Sequence, residues 1–365
     1  MQNQRLRRAV WAAVWSFVTA SLAGTAEAAL HRTDAHMASD TASMAVENSA
    51  AMQNLTSDDE PLSTPPPVLT NAQILQEDRD AVNLMNEVAL KPRILPGGIK
   101  QFTLTASRFG WNFYRNVNLW AWGYNGQIPG PLIRVRVGDR VEIVVHNDLP
   151  EPTTVHWHGL AVPNDMDGVP GFPEPAIQPG GTFVYRFTVT SQMIGTHWYH
   201  SHYDDDYQVD AGLNGVIIVD PKTPPPSMRR VRDVLFVLGA GKQDGSDNEN
   251  TFLINGKAYP NTPQLTVKRG TVVYMRIVNA CAETFHAMTL DGYDVKVVAE
   301  DGQPQPDPQK VSVVSIAPSE TVDVEFTANQ TGTFPFYDTV ASSLINPNDA
   351  VDPVGGMMTL IHVVP

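Results

Sequence analysis

The chain has 365 residues, of which 42% are hydrophobic and 18% are charged, as in ordinary soluble globular proteins with room for two domains. Its formal net charge of −14 argues against a nucleic-acid partner, which requires a basic face. Cys281 is the single cysteine, so an intramolecular disulfide is excluded.

Residues 1–28 have the pattern of a secretory signal peptide. Arg5, Arg7 and Arg8 form a basic start, an apolar stretch too short to span a bilayer follows, and Ala26-Glu27-Ala28 offers a cleavage site. We therefore expect an exported protein, either periplasmic or secreted. The Arg7-Arg8 pair fits a twin-arginine signal as well as a general secretory signal, and the sequence leaves both routes open.

Residues 29–95 predict a low-complexity leader and linker. They are rich in Ala, Ser, Thr, Asp and Pro, although residues 73–90 have a mixture typical of one short helix. The first part carries imidazole and thioether side chains of the kind that bind copper, namely His31, His36, Met37, Met44 and Met52. These residues fit either a loose copper-collecting arm or an ordinary disordered leader.

From residue 96 onward, short runs rich in β-branched and aromatic residues alternate with turn residues. This spacing predicts an all-β chain of Greek-key β-sandwiches. A proline-rich linker at about 221–229 separates a first domain, 96–222, from a second domain, 230–365. The expected strands lie at 102–106, 132–137, 141–145, 183–189, 216–219, 234–237, 272–278, 295–299, 311–316, 322–326 and 358–364.

The two domains repeat each other. Asn125-Gly126 in the first domain corresponds to Asn255-Gly256 in the second, and Gly195-Thr196 corresponds to Gly332-Thr333. The offset of about 130 to 137 residues is the length of one sandwich domain. The sequence therefore predicts two tandem copies of one fold.

Four histidines of the first domain form two H-x-H motifs, His156-Trp157-His158 and His200-Ser201-His202. Alternate side chains of a strand lie on the same face, so each motif presents two imidazoles to one side. Such a surface suits copper, zinc or iron, and we expect these four histidines to bind a metal ion. His197 is three positions from His200, which places it on the opposite face and predicts a supporting or packing role.

Several segments of the first domain occur in a recognisable order: Gln127-Ile128-Pro129-Gly130-Pro131, His156-Trp157-His158-Gly159-Leu160, Asp167-Gly168-Val169-Pro170 and Trp198-Tyr199-His200-Ser201-His202. The stretch 125–220 that contains them resembles the first cupredoxin domain of multicopper oxidases. The resemblance implies two tandem cupredoxin-like Greek-key β-sandwiches, with copper as the cofactor. It also implies that His156 binds the type 2 copper and that His158, His200 and His202 bind the type 3 pair.

The second domain resembles the C-terminal domain of that family but departs from its ligand pattern. The family's histidine-rich motif reads His286-Ala287-Met288-Thr289-Leu290-Asp291-Gly292-Tyr293, and its H-C-H motif reads Tyr337-Asp338-Thr339, whereas Gly356-Met357-Met358 is retained. A blue (type 1) copper site needs a thiolate and two imidazoles, yet Asp338 stands at the thiolate position. Cys281 aligns near the end of the preceding strand and is expected to be a small buried residue. We therefore expect a second domain that has lost most of its ligands.

Three functions of different classes remain open at this point. The first is a copper-binding protein for copper delivery or resistance, and the second is a copper-dependent oxidoreductase that receives electrons from a partner protein. The third, a structural relic, is disfavoured because all four first-domain histidines are present. Copper nitrite reductases match poorly, because Ser201 stands where their first-domain cysteine would be.

Expected partners are copper ions and either an electron-donor protein or a copper-delivery protein, with no nucleic acid. Two-domain relatives form homotrimers, so a homotrimer is an expectation for this chain as well. A trimer would not restore the missing imidazoles, because every second domain lacks them.

The copper-loaded protein should lack the intense blue absorption of a type 1 site. That absorption requires a copper–thiolate bond, and Asp338 occupies the position of the thiolate ligand. Electronic absorption and paramagnetic resonance spectra of protein purified with its native metal check this expectation. An intense blue band would show that Cys281 binds copper and that the second domain retains its centre.

Overall fold

The computed structural model describes residues 68–171, 173–224, 232–242, 248–347 and 354–365. The predicted signal at 1–28, its arginine pair and the His- and Met-bearing part of the leader lie outside the described residues. Within these ranges the helices are α1, Asn71–Met85, and α2, Asp205–Asp210. Short 3-10 turns lie at Pro96–Gly98, Asn164–Met166, Ser191–Met193 and Ala341–Leu344.

Two β-sandwiches follow one another along the chain, as the sequence predicts. The first contains β1 Arg93–Leu95, β2 Ile99–Tyr114, β3 Val117–Tyr124, β4 Gly130–Arg136, β5 Arg140–Asn147, β6 His156–His158, β7 Thr182–Thr188, β8 Gly195–His200 and β9 Asn214–Asp220. The second contains β10 Arg232–Gly241, β11 Thr251–Ile254, β12 Leu265–Lys268, β13 Val272–Asn279, β14 His286–Leu290, β15 Val295–Glu300, β16 Gln303–Pro304, β17 Lys310–Val311, β18 Val314–Ile316, β19 Thr321–Thr327, β20 Gly332–Asp338 and β21 Met358–Val364.

The two sandwiches share one strand order. In the first, one sheet contains β2-β5-β7 and the other is β4-β9-β8-β6. In the second, β10-β13-β19 and β12-β21-β20-β14 repeat these orders. Strands β8 and β20, which begin at Gly195 and Gly332, therefore occupy equivalent positions. This equivalence confirms the duplication that the sequence predicts.

The repeated Asn-Gly pairs form the same kind of turn in both sandwiches. Asn125 and Gly126 have φ angles of 58° and 72°, and Asn255 and Gly256 have φ angles of 52° and 75°. Asparagine and glycine are the residues that adopt this left-handed region most readily. The turn chemistry thus explains why these dipeptides occur at equivalent places in the two domains.

Helix α1 confirms the short helix predicted within residues 73–90. Thr70 and Gln73 form a capping box at its start, in which each side chain hydrogen-bonds the other residue's backbone N–H. Leu84 and Met85 are each 3% exposed and pack into apolar clusters of the sandwiches. The helix lies inside the segment assigned to the leader, so packed structure begins before the expected boundary at residue 95.

A buried lysine joins this helix to both sandwiches. The side chain of Lys257 in the second sandwich is fully buried, and its Nζ lies 3.0 Å from Glu77 Oε2 of helix α1. The same ammonium donates to the carbonyl oxygen of Asn112 in β2 at 2.7 Å and lies 4.7 Å from the centre of the Trp111 ring. Burial raises the pKa of Glu77 despite the nearby positive charge. Lys257 therefore holds three parts of the chain in one arrangement.

Replacing this lysine by a methionine of similar length should strongly destabilise the fold. Lys257→Met leaves the carboxylate of Glu77 buried without its partner, which costs about 3–5 kcal/mol of the free energy of unfolding. The exposed Lys268→Met is the matched control and should change that free energy by less than about 0.5 kcal/mol. Denaturant unfolding of both variants measures the difference, and equal losses would contradict a joining role for Lys257.

Candidate metal centre

The two H-x-H motifs lie side by side in one sheet. Strands β6 and β8 pair antiparallel, with His156 opposite His200 and His158 opposite Trp198. Trp157 is fully buried in the apolar core of the first sandwich. Because side chains alternate along a strand, His156 and His158 lie together on the other face. The expectation that this motif presents two imidazoles to one side is confirmed.

Three of the four predicted histidines converge closely. One ring nitrogen from each of His156, His158 and His200 lies within 4.8 Å of the corresponding atoms of the other two. The ring centres are separated by 5.4 to 5.6 Å. Within the described parts of the chain, no other group of three His, Cys, Asp or Glu side chains is this compact. The donor set is all imidazole, which fits copper and also fits zinc.

His202 lies at the edge of this cluster. Its ring centre is 5.3 Å from that of His156 and 5.8 Å from that of His200. Strand β8 ends at His200, so strand alternation does not orient His202. Instead its backbone N–H donates to Thr154 Oγ1 at 3.1 Å. The structure therefore brings three predicted ligands together tightly and places the fourth beside them.

Backbone carbonyls orient two of the rings. The Nδ1–H of His156 donates to the carbonyl oxygen of Asp167, and that of His200 donates to the carbonyl oxygen of Ser201, both at 2.7 Å. A ring whose Nδ1 carries the proton leaves Nε2 unprotonated and able to bind a metal ion. The Nε2 of His200 lies 3.4 Å from Nδ1 of His158. Two rings of the cluster, those of His156 and His200, thus carry an unprotonated Nε2.

Burial keeps these imidazoles neutral. Burial is the main reason why the pKa of His200 is lowered to about 3 and that of His158 to about 4, and the neighbouring imidazoles contribute to both shifts. The pKa of His156 is also lowered, mainly by burial. The indole ring of Trp198 stacks on His200 with the ring centres 4.0 Å apart. Neutral, restrained imidazoles do not have to lose a proton before a cation binds.

A supporting network beneath His156 was not predicted from the sequence. The hydroxyl of Tyr185 donates to Glu174 Oε1 at 2.5 Å, and Glu174 Oε2 accepts from the N–H of Gly168 at 3.0 Å. Gly168 has a φ of 85°, and a Cβ there would lie 2.0 Å from the carbonyl oxygen of Val155. Only glycine fits, and the network holds the preceding Asp167 carbonyl against His156. Glu174 carries no local pattern that would have revealed this role.

Ser201 has a structural role in the same loop. It is fully buried, and its Oγ donates to Gln208 Oε1 at 2.6 Å. Thr153 Oγ1 donates to the same amide oxygen at 2.8 Å. The hydroxyl is therefore engaged in holding the loop between β8 and α2.

Equivalent strands of the second sandwich carry a different arrangement. His286 in β14 and Asp338 in β20 are both fully buried, and the His286 Nδ1–H donates to Asp338 Oδ2 at 2.7 Å. The backbone N–H groups of Ala287 and Val340 donate to Oδ1 at 3.1 and 3.0 Å. Burial alone would raise the pKa of Asp338, but these hydrogen bonds hold it below its ordinary value. An ionised aspartate thus occupies the place expected for a thiolate.

Cys281 lies just after β13 and is fully buried, which confirms the expectation of a small buried residue. Its Sγ lies 3.2 Å from His286 Nε2, a contact that the sequence did not predict. Burial raises the pKa of this thiol well above its usual range, so the S–H donates to the ring nitrogen. Both nitrogens of His286 are therefore engaged by protein groups.

Comparison with known proteins identifies the family. Residues 106–224 and 230–355 match two different family models, each described as multicopper oxidase, and together they span more than half of the chain. The chain belongs to the multicopper oxidase family, whose cofactor is copper. It is 31% identical to copper resistance protein A of Pseudomonas syringae pv. tomato over 56% of this chain and 42% of that protein. It is 34% identical to the multicopper oxidase MmcO of Mycobacterium tuberculosis over 58% of this chain and 48% of that protein.

Solved structures show the same relationship. The blue copper oxidase of Nitrosomonas europaea is 32% identical, with a TM-score of 0.67, over 72% of this chain and 85% of that one. The multicopper oxidase mgLAC is 33% identical, with a TM-score of 0.66, over 73% of this chain and 87% of that one. The cupredoxin-like fold is thereby confirmed. The chain spans less than half the length of the curated relatives named above.

None of the helices in the described part of the chain is long and apolar enough to cross a membrane.

The metal-free protein should become less stable as the pH falls. The folded-state pKa values of His158 and His200, about 4 and about 3, lie below the value of about 6.5 in an unfolded chain. Between about pH 4 and pH 6.5 these two histidines bind more protons in the unfolded chain than in the folded protein. The free energy of unfolding therefore decreases as the pH falls from about 6.5 toward 4. In the double variant His158→Gln/His200→Gln this decrease should be shallower.

Denaturant unfolding of both proteins across this pH range makes the comparison. Carboxyl groups titrate in both proteins alike, so their contribution cancels in the difference. Parallel curves for the two proteins would contradict buried, neutral histidines.

Proposed function

We propose that this chain is an exported copper-binding protein whose first sandwich holds copper through His156, His158, His200 and His202. The observation that supports this most directly is the convergence of ring nitrogens from three of these residues within 4.8 Å. Copper is preferred to zinc because copper is the cofactor of the family to which the chain belongs. Copper also binds imidazole more tightly than other first-row divalent metals do.

The protein's own groups prepare this site before metal arrives. The carbonyl oxygens of Asp167 and Ser201 hold the protons of two rings on Nδ1, and the stack with Trp198 restricts rotation of His200. Burial also lowers the pKa values of His158 and His200, which keeps these two imidazoles unprotonated at neutral pH. Bound copper would supply one-electron redox chemistry at this place.

We propose that the second sandwich binds no copper and has a structural role. Both ring nitrogens of His286 are already engaged, one by Asp338 and one by Cys281. A metal ion at this place would have to displace a buried carboxylate that accepts three hydrogen bonds. The hydrogen-bonded network of His286, Asp338 and Cys281 also fits a structural core better than a degraded metal site.

A copper-dependent oxidoreductase is the second candidate function. The rings of His156 and His158 are only half-buried, which leaves one side of the cluster open to a further domain or partner. That partner would supply the remaining imidazoles and the electrons. The chain spans less than half of its curated relatives, one of which is named a multicopper oxidase. A relative named copper resistance protein A supports the first candidate, copper delivery or resistance.

A single pair of assays separates these two candidates. An oxidoreductase should consume oxygen when given a phenol or copper(I), whereas a delivery protein should pass its copper to a chelator without consuming oxygen. Export itself is proposed from the signal pattern of residues 1–28 and from nothing else.

Replacing a first-sandwich histidine should remove copper, whereas replacing His286 should not. His158→Ala and His202→Ala each remove a proposed ligand and should lower both the copper-to-protein ratio and the melting temperature of the loaded protein. His286→Ala should leave the copper content unchanged, because its two nitrogens are already engaged by Cys281 and Asp338. Copper analysis is performed on variants that elute like the wild type. Equal copper loss in the His286 and His158 variants would show that the second sandwich takes part in the metal site.

A further inference from the structure

A histidine outside the proposed ligand set connects the metal centre to the second sandwich. The ring of His197 is 2% exposed and lies between two glycines, Gly159 of the first sandwich and Gly302 of the second. A Cβ at Gly159 would lie 2.5 Å from its Nδ1, and a Cβ at Gly302 would lie 2.6 Å from its Cε1. Both glycines are therefore in direct contact with the imidazole.

Both positions require glycine, because of the backbone conformation there and because a side chain would meet the ring of His197. Their φ angles are 81° and 73°, in the left-handed region that favours glycine. Gly302 forms, with Asp301, the two-residue turn between β15 and β16. Asp301 is anchored by two hydrogen bonds to Thr321: its N–H donates to the carbonyl oxygen of Thr321 at 2.8 Å, and the Thr321 N–H donates to Asp301 Oδ1 at 3.0 Å. The second sandwich thus presents a firmly held surface to the ring.

The ring itself is fixed on its first-sandwich side. Its Nε2–H donates to the carbonyl oxygen of Met193 at 3.0 Å. The residues on either side of it in β8 are bonded to the second sandwich: Thr321 Oγ1 donates to the carbonyl oxygen of Thr196 at 3.0 Å, and Trp198 Nε1 donates to that of Ser319 at 3.1 Å. His197 therefore cannot shift without moving one of the two sandwiches.

We propose that His197 is a positioning residue of the copper centre, through which the Asp301-Gly302 turn of the second sandwich sets the direction of His158. Gly159 directly follows His158, so pressure of the ring against Gly159 fixes the backbone from which the His158 imidazole projects. This inference rests on the proposed copper site in the first sandwich.

The decisive variant lies in the sandwich that holds no copper. Gly302→Ala places a methyl group against His197, whereas Gly270→Ala in the same sandwich places one in open space at an equally left-handed φ of 90°. Both variants carry similar backbone strain, and Gly302→Ala adds the steric contact with His197, so its melting temperature should fall by more than that of Gly270→Ala. Groups that orient metal ligands typically change metal affinity by about 10- to 100-fold, and Gly302→Ala should weaken copper binding by about tenfold or more. Gly270→Ala should leave the affinity unchanged.

The readouts are chelator competition with copper(II) and the paramagnetic resonance spectrum of the bound ion. Equal affinity and identical spectra in the two variants would overturn the positioning role. If the wild type binds no copper, or if His158→Ala keeps its copper, the proposed function itself fails and this inference falls with it. If His158→Ala loses its copper but Gly302→Ala binds copper as tightly as Gly270→Ala does, only the positioning role of His197 is refuted.

A second pair of variants covers the case in which Gly302→Ala does not fold. Gln places its side-chain nitrogen near the position of histidine Nε2, so His197→Gln preserves the donor to the Met193 carbonyl, and His197→Leu removes it. The Gln variant should retain the wild-type copper spectrum and affinity, and the Leu variant should lose both. Wild-type copper affinity and spectrum in the Leu variant would overturn the proposal, whatever its melting temperature.

Discussion

The structure depends on a set of charges that are buried where the two sandwiches meet. Arg276 of the second sandwich is 4% exposed, and its guanidinium contacts Glu87 at 3.0 Å and Asp323 at 3.2 Å. Glu87, which follows helix α1, also pairs with Arg134 of the first sandwich. Separating a buried charge from its partner is costly, so these pairs disfavour other arrangements of the two sandwiches. The guanidinium also donates to Thr196 Oγ1 at 2.7 Å, and Thr196 lies in β8. The same network therefore fixes the strand that carries His200.

The two sandwiches differ in the polar side chains that their corresponding strands bring together. The first sandwich presents imidazoles whose nitrogens remain available, because carbonyl oxygens hold their other protons. In the second, the corresponding strands bring together His286, Asp338 and Cys281, which satisfy one another. One fold thus carries a cluster of imidazoles in one copy and a hydrogen-bonded, fully buried His–Asp–Cys group in the other. The second copy still contributes to the proposed copper centre, since its backbone and side chains hold β8 and the ring of His197.

Much of the fold was predictable because it depends on local patterns. Alternating burial along strands such as Arg140–Asn147, turn dipeptides and the repeat between the halves all follow from short stretches of residues. The face shared by His156 and His158 was predictable for the same reason. The orientation of His202 was not, because β8 ends at His200 and the loop beyond it is held by hydrogen bonds to distant residues. The packing of helix α1 was also hidden, since its apolar face is short and lies in a polar segment.

The sequence by itself determined the all-β architecture, its duplication, the family and the four histidines of the proposed copper site. These depend on residue types at fixed spacings, and periodicity along a strand is a property of the local chain. Three contacts are visible only in the tertiary structure. Glu174 supports the loop that contacts His156, and Asp338 and Cys281 engage the two nitrogens of His286. The turn at Gly302 contacts the ring of His197. The contacts of Asp338 with His286 and of Gly302 with His197 join residues that are far apart in the chain, and the shorter-range contacts depend on how loops fold back. The free energies of these contacts depend on burial and change when an interatomic distance changes by a few tenths of an ångström. The burial and the distances are set only when the sandwiches pack together.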